Sequence, residues 1–268
     1  MEEAAADEVV LHGGVANRGR VVRSGNYVLR PANPCSASIH AFLRRVRAAG
    51  FEGVPRPVGF DDEGRERLEF IEGDVALPPY PDWARTDTVL ASAAELMARF
   101  HAAATLDPAP EVSRWNDEIA DPQGGPVVCH NDVCLENVVF RDGIAVGLLD
   151  FDYCAPGRPV FDLAQFARMC VPIDDDASAA LLGWHRPDRP GRLRLVSDSY
   201  GLDRWGRVQM LELLDDAVAH GGEFVKRHAD AGDPGFVLMW EWMGGQERWN
   251  RRKRWWAAQR PAFVAALA

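Results

Sequence analysis

The stretch Val127–Cys154, VVCHNDVCLENVVFRDGIAVGLLDFDYC, constrains the fold of this chain more than any other. Two apolar runs, VVF and IAVGLL, flank Arg141-Asp142-Gly143, a turn signal that predicts an antiparallel hairpin. A hairpin returns to the end where it began. Asn137, just before its first strand, and Asp150, just after its second, therefore come near each other. Asp132 lies on the loop HNDVCLEN, which follows a short apolar strand at Val127–Cys129 and feeds the same end. Three oxygen-bearing side chains thus converge in apolar surroundings, where an unpaired carboxylate costs several kcal/mol.

A carboxylate with an amide oxygen suits a hard cation such as Mg²⁺, which takes oxygen ligands and keeps several waters. Asp132 is then free to handle the proton of a substrate hydroxyl. That division of labour describes phosphoryl transfer, where positioning and charge neutralisation do most of the catalysis. A purely structural role for Asp132, Asn137 and Asp150 is the alternative. Cys129, His130 and Cys134 lack the second ligand pair of a zinc site. The cysteines read as small apolar residues beside the hairpin.

Around this stretch the chain divides in two. Residues 1–72 read as a small nucleotide-binding lobe of five strands and one helix. DEVVLHGG is a strand, RGRVVRSGNYVLRP two strands, the segment 36–51 a helix with Ile39, Phe42, Leu43 and Val46 on one face, and VPRPVGFDDEGRERLEFIEGD two more strands. The Pro-rich EGDVALPPYPDW marks a boundary, and residues 73–268 read as a helical lobe holding the hairpin. Its first helix, 86–106, has the buried stripe Val89, Leu90, Ala93, Leu96, Met97 and Phe100.

His130-x-Asp132-x-x-x-x-Asn137, followed by LLDFD with Asp150, resembles the catalytic and metal loops of the aminoglycoside phosphotransferase and choline kinase-like family. The resemblance is tight over 127–165 and looser over almost the whole chain. It implies an α+β, two-lobed protein-kinase-like fold, with a small antiparallel sheet plus helix and a larger helical lobe. It further implies Asp132 as the catalytic aspartate, Asn137 and Asp150 as Mg²⁺ ligands, His130 as a brace for the loop, and Asp152 as a supporting group or weak ligand. PVFDLAQFARMC begins a helix at Asp162, where Asp162 and Gln165 form a capping-box-like pair and, by resemblance, Asp162 also steadies the catalytic loop. Only Phe151–Phe161 separates Asp150 from that helix, less than the activation segment of a protein kinase. The acceptor implied is a small molecule.

Such folds place a lysine on the third strand, paired with a glutamate on the following helix. This chain has two lysines, Lys226 and Lys253, both in the second lobe. Arg30 takes the strand position and can hold phosphate with its fork of donors. The helix 36–49 contains no acid, and His40 faces the glutamate's place, so the ion pair is lost or rebuilt. HGGVANRGR, with Gly13 and Gly14, reads as a phosphate-covering loop or an ordinary turn. Glu69, Phe70 and Ile71 fit the connection between the lobes, whose backbone would bind adenine.

Acids and tryptophans gather in the second lobe, and VLMWEWMGG joins aromatic faces to a carboxylate. Trp240, Glu241 and Asp216 are the expected acceptor contacts, suited to a sugar or a cationic group. The net charge of −10 argues against nucleic acid as a partner. The basic run RWNRRKRWW, 248–256, reads as a solvated helix face. No apolar run is long enough to span a membrane, the start lacks signal-peptide order, and five cysteines, an odd number, read as reduced thiols of a cytoplasmic protein. The expectation is an O-phosphotransferase using ATP (or GTP) and Mg²⁺ on a hydroxyl of a small molecule of the antibiotic class. A metabolic kinase for choline, an amino-alcohol or a sugar is one alternative, and a nucleotide-binding pseudokinase another.

Overall fold

The computed structural model describes residues 8–11, 19–106 and 114–268. Strands β1 (Glu8–Val10), β2 (Val22–Ser24) and β3 (Tyr27–Arg30) are followed by helix α1 (Ser36–Ala48), then β4 (Pro57–Phe60) and β5 (Glu66–Glu69). They form one antiparallel sheet in the order β1-β2-β3-β5-β4. The β3–β5 register sets Arg30 opposite Glu66. Helix α1 buries Ile39, Phe42, Leu43 and Val46, the face its periodicity predicts. It ends at Ala48, next to the expected stop, where Gly50 turns at φ 92° and Phe51 N–H bonds back to Val46 O.

The connection to the second lobe is stitched onto the hairpin. Asp74 and Phe140 exchange both backbone hydrogen bonds at 2.8 Å. Gly73 has φ 144°, and a Cβ there would lie 2.5 Å from Phe140 O, so only glycine fits this crossing. Helix α2 (Asp87–Ala103) follows, capped by the Thr86 hydroxyl, which accepts from Val89 N–H. All six residues of its expected stripe are buried.

Next come β6 (Val127–Cys129), the hairpin β7 (Val138–Arg141) and β8 (Ile144–Leu148), and β9 (Ala155–Gly157), which pairs with β6. Asp142 and Gly143 both turn at positive φ, 51° and 75°, as a two-residue hairpin loop requires. The rest is helical: α3 (Pro159–Cys170), α4 (Asp176–Leu181), α5 (Arg189–Tyr200), α6 (Arg204–His220), α7 (Glu223–Asp230), α8 (Pro234–Trp242) and α9 (Gly245–Leu267). Phe42 of α1, Phe100 of α2 and Phe151 after β8 meet with ring centroids 5.7–6.4 Å apart, joining the lobes through one core.

Two expectations are corrected here. Helix α3 starts at Pro159, pre-set for a first turn, so Asp162 lies inside the helix and caps nothing. The basic run is a solvated face only in part: Lys253 and Arg254 are exposed, while Arg248, Trp249, Arg252 and Trp256 of α9 are buried. Partners allow this for three of them: Arg248 meets Asp174, while the indole N–H groups of Trp249 and Trp256 reach Val218 O and Asp215. Asp215 is also bound by Arg260 and holds helices together.

Candidate active site

The loop between β6 and β7 is fixed from below by one carboxylate. Asp162 is fully buried and accepts from the backbone N–H of His130 (2.7 Å) and Asn131 (2.9 Å), with His101 Nε2 at 3.0 Å. Burial alone would raise this carboxyl, but the His101 bond and the backbone donors hold it below the usual range. His101 in turn meets the Tyr200 hydroxyl at 2.7 Å. Cys129 joins His101 and Asp162 in this cluster, yet burial and the Asp162 charge push its thiol up, so it remains protonated there.

Above that base, His130 is completely buried, and burial holds it below its usual value, in the neutral form. Its Nε2 donates to Leu149 O at 2.7 Å, and its Nδ1 accepts from Asp132 N–H at 3.3 Å. The ring therefore ties the loop to the end of β8 and leaves no proton to exchange with the cleft. Asn131 and Asp150 both sit at positive φ, 68° and 61°, a conformation that surrounding bonds must impose. Asn131 is held by Tyr153 O. Asn137 donates its side-chain N–H to Asp132 O at 2.8 Å, and its backbone carbonyl accepts from Leu149 N–H. Asp132, Asn137 and Asp150 all line one cleft. Burial, then the Asp150 charge, push Asp132 up to about 7.

Arg30 enters from the small lobe. It contacts Asp150 Oδ1 at 3.1 Å, Asp152 and, from Nε, Glu66 Oε2 at 2.9 Å, the last an ion pair without hydrogen-bond alignment. Burial works against its charge, and the three carboxylates more than restore it. His40 lies 3.2 Å from Glu66 Oε1. Arg30 thus pairs with Glu66 across neighbouring strands, β3 and β5, and His40 of α1 lies on the same carboxylate. Asn33 adds a hydrogen bond to Asp152 at 2.9 Å. Burial raises Asp152, with Arg30 opposing.

The oxygen donors fit a hard cation. Asn137 commits its amide nitrogen to the loop, which frees its oxygen, and Arg30 engages one oxygen of Asp150.

Residues 106–196 match the family model described as the phosphotransferase enzyme family. Over 274 residues, 98% of this chain and 99% of the relative, the sequence is 32% identical to the trifolitoxin immunity protein of Rhizobium leguminosarum bv. trifolii. The chain belongs to the phosphotransferase enzyme family. Solved structures agree on the fold of this phosphotransferase. A choline/ethanolamine kinase family protein from Mesorhizobium loti superposes with TM-score 0.63 at 15% identity, covering 98% of this chain and 92% of that one. The gentamicin complex of APH(2″)-IIa gives 0.59 at 13% identity, covering 91% and 93%. Choline kinase from Cryptosporidium parvum gives 0.57 at 12% identity, covering 100% and 92%. The fold is that of the two-lobed, protein-kinase-like phosphotransferases.

The cleft of this phosphotransferase has a volume of about 870 Å³ and runs from Asp150 and Asp152 to α6, α8 and α9. Asp216 lies on its wall; Trp240 and Glu241 are not among the lining residues, and the neighbouring Trp242 is. Trp240 instead packs edge-on against Trp249. Glu69 and Phe70 give their N–H groups to Arg56 O and Asn26 O. Ile71 sets its side chain against Gly147 of β8. Gly13 and Gly14 lie outside the described residues. Sequence reasoning missed Glu66, whose signal was the strand register opposite Arg30. It also missed Arg168, Arg248 and Arg252 on the cleft wall, for which no local signal existed.

Proposed function

We propose that this phosphotransferase moves the γ-phosphoryl group of ATP or GTP to a hydroxyl of a small toxic molecule of the antibiotic class, with Mg²⁺ as cofactor. The observation that carries this is the convergence of Asp132, Asn137 and Asp150 on one cleft, on a loop held by His130 and Asp162. Asn137 and Asp150 would hold Mg²⁺, which when bound neutralises charge on the phosphate oxygens. Asp132 orients the acceptor hydroxyl and takes its proton as the oxygen attacks the γ-phosphorus and the bond to the β-phosphate oxygen breaks. Arg30 steadies Asp150 and Asp152 and would share only its remaining N–H donors with the nucleotide phosphates. Solved neighbours in complex with ADP, and with ATP and streptomycin, support nucleotide use. The immunity protein that this chain resembles supports a protective role against a toxin. Among the described residues no helix is long and apolar enough to cross a membrane.

The test is acceptor-dependent ADP release across a panel of antibiotics and small alcohols. Asp132→Ala is expected to fold, keep its nucleotide affinity and lose transfer by about 10²–10⁴-fold. Normal turnover in that variant would remove the mechanism. Asp150→Asn should weaken nucleotide binding in the presence of Mg²⁺ and leave metal-free binding unchanged, measured by calorimetry.

The contact between Arg30 and Asp150 supports a second reading, nucleotide binding without transfer, because it places a fixed cation on a proposed metal ligand. Nucleotide binding without ADP release for any acceptor would select it.

A further inference from the structure

Of the five arginines on the cleft that holds Asp132, Arg158 and Arg227 pair with Asp121 and Glu118, and three stand together: Arg168 of α3, and Arg248 and Arg252 of α9. Arg248 and Arg252 are only 7% and 6% exposed. Asp174, itself buried, is in contact with Arg248, accepting from Nε at 3.1 Å and Nη2 at 2.8 Å, and acts on Arg168 and Arg252 only from further off. The other two have no counter-ion in contact among the described residues. Arg168 reaches the Gln165 amide oxygen at 3.2 Å, and the Nε of Arg252 is buried with no hydrogen-bond partner. Burial and the Arg168 charge push Arg252 down to about 10, Asp174 opposing and Arg248 adding to the shift.

A guanidinium taken out of water without a partner is costly. Acids line the same cleft, yet among the described residues none is in contact with Arg168 or Arg252. The planar fork of arginine matches a carboxylate, sulfate or phosphate through paired N–H donors. Asp132 is among the charges acting on Arg168, which sets this wall beside the proposed transfer point. Phe224, Phe236 and Trp242 line the same cleft and offer apolar surface beyond it.

We propose that the acceptor carries an anionic group, a carboxylate or an ester of sulfate or phosphate, seated between Arg168 and Arg252. The proposal rests on the phosphotransfer reading of Asp132 only in naming the occupant as the acceptor. It reverses the cationic acceptor that Asp216, Glu241 and Trp240 suggest in the sequence.

The test uses the full chain saturated with Mg²⁺–ADP and three probes: sulfate, hydroxyphenylacetate and its neutral analogue hydroxyphenylacetamide. Sulfate and the acid are expected to raise Tm and the amide not to. Arg252→Met keeps the aliphatic stem and removes the charge. It should weaken binding of both anions by about tenfold or more and leave ADP affinity unchanged. In anion-free buffer this variant should be as stable as the parent or more so, because it no longer buries an unpaired charge. Equal binding of acid and amide would overturn the proposal, as would an unchanged anion response in the variant. Loss of sulfate binding on ADP addition would overturn it too, assigning the arginines to nucleotide phosphate. The two readings fail separately. Anion binding at Arg252 without any acceptor-dependent ADP release removes phosphotransfer and leaves the site standing. Release confined to neutral or cationic hydroxyl compounds removes the anionic acceptor alone.

Discussion

Arg30 shows how one substituted side chain reorganises its neighbours. A lysine can hold one carboxylate at a time as a point charge; Arg30 spans Glu66, Asp150 and Asp152 with different nitrogens. Removing it would leave three carboxylates facing one another in a mostly buried setting. Arg30→Ala is therefore expected to cost about 3–5 kcal/mol of stability and to lower nucleotide affinity. Arg30→Lys should recover part of the stability, because charge returns without the fork. Urea midpoints and calorimetric nucleotide binding check both, and a fully functional Arg30→Ala would show that the contact is incidental. Glu66 illustrates why the pair was only half legible: it sits far from Arg30 along the chain and meets it only through strand register.

Among elements, the β6–β7 loop depends on α3 as much as on its own sequence. The Asp162 carboxylate replaces the pairing that two loop N–H groups would otherwise lack. Its folded pKa lies below the ordinary value, so its stabilising effect is complete above the unfolded pKa, about 3.9, and is lost as pH falls through the lower folded value. Asp162→Asn is expected to lower the urea midpoint at pH 7 and to narrow its gap to the parent protein below about pH 4. The same variant should reduce transfer more than nucleotide binding, since it loosens Asp132 and not the small lobe. An equal gap at both pH values would exclude a carboxylate-specific role. Sequence placed Asp162 at a helix start from an acid followed by Gln165. Pro159 moves that start upstream, and the freed carboxylate turns inward to the loop.

At the scale of the molecule, the lobes share one core. Phe42 from the first lobe packs on Phe100 and Phe151 of the second, and the crossing at Gly73 is bonded to the hairpin. Phe42→Ala is expected to cost about 3–5 kcal/mol and to lower a single unfolding transition by calorimetry. Two separate transitions would show lobes that unfold independently. Saturating Mg²⁺ and nucleotide should raise the same Tm, by about 2.7 kcal/mol of stability at a hundredfold excess over Kd.

The sequence alone determined the lobe order, the hairpin, the buried faces of α1 and α2 and the meeting of Asp132, Asn137 and Asp150. These follow from short-range rules: periodicity, turn residues and the return of a hairpin to its start. Tertiary structure decided what depends on contacts between distant segments. It paired Arg30 with Glu66, and it turned part of the basic run of α9 inward so that Arg248 and Arg252 line the cleft instead of facing water. Local pattern assigns arginines to solvent because burying a charge is costly, and only the arrangement of helices around a cleft creates a place where that charge awaits a partner.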